Sequence, residues 1–388
     1  MPLALFRYAF VASIYVAFCG ASFSALAQTV RAETLASGLE NPWALAFLPD
    51  GRFLVTERPG RLRVVEANGK LGAAVAGVPH VVAGRQGGLL DLVLDSDFAQ
   101  NRTLYFCFSE PGPGGAAAGN STALARARLS ADATRLEDLK VIFSQKPKFA
   151  SGAHFGCRIV ESRHRGLDGK ADGLLFLTLG DRFSRMDDAQ TLDNHHGKIV
   201  RINKDGSIPG DNPFVARKGA LPEIWSYGHR NSQGATLSPD GTFWMIEHGP
   251  QGGDEINLPL PGRNYGWPII TYGENYGGGK IGDGITAKDG MEQPLHYWVP
   301  SIAPSGMAFL TSERYGKAWV GNLFVGSLKF AYLDRIELAE PFKGKVLRET
   351  RLLENEKDRI RDVRQGPDGL LYVLTDSSNG RLIRLLPN

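Results

Sequence analysis

One unit recurs six times along the chain: an apolar strand, a turn carrying Asp or Gly, and a second apolar strand. It appears as WALAFLPDGRFLVTE at 43–57, LLDLVLDSDFAQNRTLYFCFS at 89–109 and HFGCRIVESRHRGLDGKADGLLFLTLGD at 154–181. It returns as GATLSPDGTFWMIEHG at 234–249, SGMAFLTSERYGKAWVGNLFVGSL at 305–328 and DVRQGPDGLLYVLTD at 362–376. Each unit has hairpin chemistry, because Pro presets one turn residue and Gly supplies the positive φ the next requires. The strands between are rich in Val, Ile, Leu, Phe, Tyr and Trp, and helical periodicity is hard to find. Many short antiparallel strands leave exposed edges unless the array closes on itself. The spacing therefore predicts an all-β chain, a six-bladed β-propeller of four-stranded antiparallel blades with roughly 55 residues per blade. A two-sheet sandwich is the competing arrangement. The terminal segments 33–38 and 382–388 are expected to share the closing blade.

The first residues carry one positive charge at Arg7, an apolar run over 8–18, and small residues ending in Ala27 before Gln28. That order is the signature of a secretory leader. The run is too short to span roughly 30 Å of hydrocarbon, and Ser13, Gly20 and Ser22 interrupt it. Residues 1–27 are therefore expected to be a signal peptide cleaved after Ala27, with 28–388 a single propeller catalytic domain in the periplasm or outside the cell. A lipid anchor on Cys19 is the alternative, although Phe18 stands where a lipoprotein signal wants a small residue. Loss of Arg7 lowers the formal charge from +3 to +2, with both signs interspersed. Neither a nucleic-acid partner nor an acidic membrane surface is implied. The mature chain keeps only Cys107 and Cys157, enough for at most one disulfide, so the fold is not a disulfide scaffold.

Loops facing the axis of a propeller converge, so polar residues flanking the repeated strands are the candidates for chemistry. His154 opens the third unit and Asp181 closes it. If the two ends meet, the carboxylate fixes the tautomer of the imidazole and equips it as a base near neutral pH. The alternative is a turn-capping His154, with Asp181 paired to Arg182 or Arg158. Arg230, Lys329, Arg359 and Arg361 also fall beside the repeated strands. They are either solvated loop charges or, if they converge, the walls of a polyanion site. The string EHGPQGGDEIN combines glycines with hard oxygen donors, a composition suited to calcium; the plain alternative is a Gly-rich turn with Asp254 and Glu255 exposed. Cys157 reads as a packed residue, and the pair His195 and His196 as part of a solvated loop.

Eight strings in order, GRQGGLLDLVLD, GAHFGCR, LDNHHGKIVRINKDGSIPGDNPF, YGHRNSQG, EHGPQGGDEIN, NYGWP, YWVPSIAPSG and DRIRDV, resemble the soluble quinoprotein sugar dehydrogenases of the glucose and sorbosone dehydrogenase family. The resemblance covers nearly the whole mature chain and is closest to the periplasmic aldose sugar dehydrogenase branch. It implies pyrroloquinoline quinone (PQQ) and calcium (Ca2+) as cofactors, and oxidation of the anomeric C1 hydroxyl of soluble aldoses to the lactone. It makes His154 the general base, Asp181 its orienting partner and Arg230 the stabiliser of charge on the reduced quinone. Gln86, Arg230, Asn231, Tyr276, Lys329, Arg359 and Arg361 match cofactor-contacting positions. Calcium would take the backbone carbonyls of Gly249 and Pro250, and a second, structural calcium Glu255 with the backbone of Tyr265. Cys157, and Phe183 with Ser184 after Asp181, depart from the family's pattern. No haem motif is present, so the resemblance implies a separate electron acceptor. The competing functions are a six-bladed calcium-dependent sugar lactonase and a non-catalytic carbohydrate-binding propeller.

Overall fold

The computed structural model of the chain describes residues 30–162 and 173–388. The leader assigned to 1–27 lies outside the described residues, as do residues 163–172 inside the third unit. The described chain is six four-stranded antiparallel sheets. Blades 1 to 5 take their strands in sequence order, beginning at Pro42, Leu89, Gly156, Ser232 and Pro304. Blade 6 takes three strands from Ile360–Gln365, Leu371–Thr375 and Gly380–Pro387, and its outermost strand is Val30–Leu39 from the other end of the chain. The terminal segments thus pair as expected, Thr34 opposite Ile383 and Ala36 opposite Leu382.

Each of the six sequence units forms the first two strands of one blade. The Pro-Asp-Gly turns close as their residues dictate. Gly51, Gly241 and Gly369 have φ of 84°, 87° and 78°, and their N–H groups donate back to Leu48, Ser238 and Gly366. First strands of neighbouring blades pack against one another right round the ring, buried along nearly their whole length. Apolar side chains fill the seams between blades; between blades 6 and 1, for example, Phe47 packs edge-on against Tyr372 with ring centroids 5.0 Å apart. The Cys107–Cys157 disulfide joins the second strand of blade 2 to the first strand of blade 3.

All six first strands share a register shift near their start, at Pro42/Ala44, Leu89/Leu92, Gly156/Ile159, Ser232/Gly234, Pro304/Met307 and Ile360/Asp362. A bulge bends a strand and re-aims the side chain it carries. The residues at these bulges include Trp43, Leu90, Gly156, Gln233 and Arg361, which line one funnel. Against that funnel sits a charge-balanced network. Arg158 reaches Asp91 at 3.2 Å and Asp362 at 2.9 Å, and Arg364 bonds the same two carboxylates at 2.7 and 2.9 Å. The Arg158 guanidinium stacks 4.1 Å from the Trp43 ring and donates to the Gln233 carbonyl at 2.6 Å. Buried charges persist only when matched in this way.

Candidate active site

The funnel encloses 910 Å³ and gathers residues from all six blades and the loops between them. Gln86, Asn231, Gly249, Pro250, Tyr276, Lys329, Arg359 and Arg361 all line it. Three of the four cationic positions named from the sequence, Lys329, Arg359 and Arg361, therefore converge, and Arg58 and Arg85 join them, whereas Arg230 lines the adjoining cleft. Asp376 is the only carboxylate in the lining among the described residues, and it is committed to Arg359 at 3.1 Å and Arg361 at 3.0 Å. Burial would raise its carboxyl, but Arg361 and Arg359 outweigh that and hold it well below the usual carboxylate range. Lys329, Arg58 and Arg85 have no ion-pair partner among the described residues, which leaves a net positive cavity.

His154 and Asp181 meet beside the funnel: neither lines it, but Phe155 and Gly156, which directly follow His154, do. Their distance follows from the hairpin, whose register sets Gly156 opposite Leu179 and so brings the flanking residues together. His154 Nδ1 donates to Asp181 Oδ1 at 2.6 Å, leaving Nε2 as the acceptor. The Phe183 N–H donates to the same oxygen at 2.8 Å, and the indole N–H of Trp267 donates to Oδ2 at 2.8 Å. Burial pulls the imidazole below the ordinary histidine range; Asp181 opposes that, while Arg230 and Arg182 add to it. His154 is itself tied to the lining, since its N–H donates to Gln86 Oε1 at 2.7 Å. The alternative pairings of Asp181 do not form. Arg158 belongs to the network described above, and Arg182 turns away to the carbonyls of Ala153 and Ser151 and to Asn120. Those bonds pin the backbone just before His154.

Arg230 stands between this dyad and the glycine-rich loop. Its carbonyl accepts from the Asp181 N–H at 2.8 Å. Its Nη1 donates to the carbonyls of Gly249 at 2.7 Å and His248 at 3.1 Å, and its guanidinium lies 5.2 Å from the Trp267 ring and 5.9 Å from that of Tyr276. Its Nε is buried with no hydrogen-bond partner among the described residues, as is that of Arg361. Unmatched buried donors of this kind suit an anion with several acceptor oxygens. Phe183 and Tyr276, both more than half exposed, form an aromatic lip with ring centroids 6.4 Å apart, and Phe183 meets the His154 ring edge-on at 5.2 Å.

Behind Gly249 a narrow cleft is lined by Glu247, Glu255, Tyr265, Gly253 and Thr271. Glu247 is well matched, accepting from the Arg230 N–H at 2.6 Å and from His229 and Asn257 at 3.1 Å. Among the described residues Glu255 has only the Asn257 amide, at 3.1 Å, and the Asn257 Oδ1 beside it has no hydrogen-bond partner. Burial, then the Glu247 charge, then Asp254 push the Glu255 carboxyl up to about 8, against the Asn257 amide. A second cation near this group would reverse that cost. Among the described residues no three His, Cys, Asp or Glu side chains converge as a metal-binding group; the calcium positions named above draw mainly on backbone oxygens. Asp254 is not the exposed turn residue of the plain alternative: it is fully buried and accepts from the N–H groups of Gly249, Ile302 and Ala303 and from the Ser301 hydroxyl.

The solvated-loop reading of His195 and His196 is corrected. Both are fully buried, His195 against Glu223 at 2.9 Å and His196 against Asp188 at 2.7 Å, and the main-chain N–H of Lys146 donates to His195 Nδ1. Sequence reasoning missed Arg58, Arg85, His248 and Trp267. Arg85 adjoins the singled-out Gln86, His248 lies inside EHGPQGGDEIN and Trp267 inside NYGWP, so their strings carried a signal; Arg58 lies in none of the strings.

The sequence family described as Glucose / Sorbosone dehydrogenase matches residues 39–384. Among curated proteins, the chain is 47% identical over 365 residues to the aldose sugar dehydrogenase YliI of Escherichia coli K12, covering 92% of this chain and 93% of that one. The apo-form crystal structure of the soluble aldose sugar dehydrogenase from Escherichia coli superposes with a TM-score of 0.85 at 45% identity, covering 93% of this chain and 100% of the other. The PQQ-bound aldose sugar dehydrogenase of Streptomyces coelicolor superposes with a TM-score of 0.72 at 27% identity, covering 93% and 99%.

Proposed function

The chain belongs to the glucose/sorbosone dehydrogenase family, and from that premise we propose that it is a quinoprotein oxidising the C1 hydroxyl of soluble aldoses to the lactone, with PQQ and calcium as cofactors. The observation that carries the reading is the funnel itself: five cationic side chains and one already neutralised carboxylate, opening beside a carboxylate-held histidine. The residues fit the group. A tricarboxylate would meet Lys329, Arg359 and Arg361 together with Gln86, Asn231 and Tyr276, and the unmatched Nε atoms of Arg230 and Arg361 face the need for acceptors. The carbonyls of Gly249 and Pro250 would hold one calcium, and Glu255 with the Tyr265 carbonyl a second, where the under-matched carboxyl supports it.

When bound, PQQ supplies a two-electron hydride acceptor polarised by calcium. The remaining work belongs to the chain. His154 Nε2 takes the proton of the C1 hydroxyl while the C1 hydrogen leaves with its electron pair, and the carbonyl of the lactone forms. Asp181 holds the imidazole in the productive tautomer and stabilises the imidazolium. Arg230 supplies fixed positive charge beside the site, held by Gly249, His248 and the Trp267 face. Phe183 and Tyr276 shield the base from water and give the sugar an apolar surface. The electrons then leave to a separate acceptor.

The lactonase alternative needs acidic side chains converging in the funnel, and Asp376 is committed to two arginines. We also place the mature start at Gln28 and the working compartment outside the cytoplasm, a reading supported by the buried disulfide. No described helix is long and apolar enough to cross a membrane. Titration of the purified protein with PQQ and calcium, followed by a panel of aldoses, tests the assignment: bleaching of the bound quinone by an aldose supports it, and failure to bind PQQ at any calcium concentration overturns it.

A further inference from the structure

We infer that Trp267 is a positioning residue that sets the orientation and proton affinity of the His154–Asp181 pair through its indole N–H. The base role of His154 rests on the function proposed above; the coupling between the three side chains does not. Asp181 is fully buried, and its carboxylate is saturated by three donors: His154 and the Phe183 N–H on Oδ1, Trp267 on Oδ2. Trp267 is the only donor to Oδ2 among the described residues. Without it the carboxylate is free to rotate, and its charge is no longer shared between two hydrogen-bonded oxygens.

The indole is itself held from both sides of its backbone. The main-chain N–H of Trp267 donates to the Gly228 carbonyl at 2.9 Å, and its main-chain carbonyl accepts from Gln190 Nε2 at 2.7 Å. Gln190 is in turn locked to Asn264 by a reciprocal pair of amide bonds at 3.1 and 2.8 Å. The ring packs on Ala189 and Ile281 and presents a face to Arg230. One side chain thus contacts both the partner of the base and the cation beside it, by two separable means, a donor and a π face. The charged groups bearing on His154 are Asp181, Arg230 and Arg182, with His248 nearby. Removal of the indole donor leaves all of them in place.

The test is histidine- and tryptophan-resolved NMR of the cofactor-free full chain. In the wild type, the Trp267 indole proton is expected to shift with the same midpoint as the His154 ring, because the two share one carboxylate. In Trp267→Phe the His154 midpoint is expected to rise by about half a unit to one unit, since a carboxylate short of one donor holds the imidazolium more strongly. His248 stays neutral across that range, its imidazole pushed down to about 3 by burial. In the loaded enzyme the same variant should lose roughly tenfold in kcat with an unchanged sugar KM, and Trp267→Leu should also weaken cofactor binding by removing the face under Arg230. An indole shift that ignores the His154 titration overturns the inference, even if the variant does not fold. An unmoved His154 midpoint in a folded Trp267→Phe does the same. A moved midpoint in a protein that oxidises no aldose sustains the inference and removes the proposed function instead.

Discussion

Asp181 Oδ1 accepts from His154 Nδ1 at 2.6 Å across the open end of the third blade's first hairpin, so the imidazole presents Nε2, not Nδ1, as its basic atom. This relationship decides the pH behaviour. On the proposed function activity requires neutral His154, and burial holds its titration below the ordinary histidine range. The acid limb of kcat/KM is therefore expected below pH 6.5. Asp181→Asn removes the main influence raising the pKa, so the limb should move further down while kcat falls on the order of 10²- to 10⁴-fold. A pH–rate profile of the two proteins checks both; a limb that moves up contradicts the account.

The unpaired cations should set cofactor affinity. Lys329 is exposed and without an ion-pair partner among the described residues, its ammonium lying only over the Phe330 ring, so Lys329→Ala is expected to weaken PQQ binding by about 3- to 10-fold, with a smaller dependence on salt. Arg361 is buried, and its loss also leaves Asp376 short of a partner, so Arg361→Ala should cost more, roughly 100-fold. Isothermal titration at two ionic strengths measures both.

Calcium should stabilise the fold through Glu255 as well as serve the funnel. Thermal unfolding with millimolar calcium is expected to rise by several degrees over the chelated protein. Glu255→Gln should raise the Tm of the chelated protein, because it removes a poorly matched carboxyl beside Glu247, and should reduce the calcium-dependent shift. Calorimetry with and without chelator reads both effects.

The disulfide between Cys107 and Cys157 closes a loop of 50 residues across two blades. Replacement of both by Ala should cost about 4 kcal/mol on the chain-entropy account. Denaturant unfolding measures the loss, and because Cys157 stands three residues from His154, turnover should fall together with stability.

Three of the six hairpins, those at 43–57, 234–249 and 362–376, were legible because Pro-Asp-Gly can do little but turn. The expectation of Pro-Gly turn chemistry in every unit is corrected, since the second unit turns through the short helix Phe98–Asn101 and the fifth through two 3-10 turns, Glu313–Tyr315 and Lys317–Trp319. The pairing of the terminal segments 33–38 and 382–388 in blade 6 was legible too, because a ring of blades commonly closes by joining its two chain ends in one blade. The meeting of His154 and Asp181 was legible only as a condition, that the two ends of the unit meet, and the convergence of Lys329, Arg359 and Arg361 only as one of two readings of charges flanking the repeated strands. The burial of His195 and His196 was not legible. Their partners Glu223 and Asp188 stand 28 and 8 residues away, and only the folded blade brings them close enough to neutralise a buried imidazole. Likewise Arg158 is matched by Asp362, 204 residues on, a pairing created by ring closure alone. NYGWP stood out as a string, but the role of Trp267 within it was not legible, because its indole N–H finds Asp181 across 86 residues of sequence.

The most direct measurement is dye-linked oxidation of an aldose panel by the purified protein, with and without PQQ and calcium, beside a His154→Ala variant that is shown to bind PQQ normally. The account predicts turnover only with both additions, and a loss on the order of 10²- to 10⁴-fold in the variant. Turnover that persists in His154→Ala, or that needs neither addition, would contradict it.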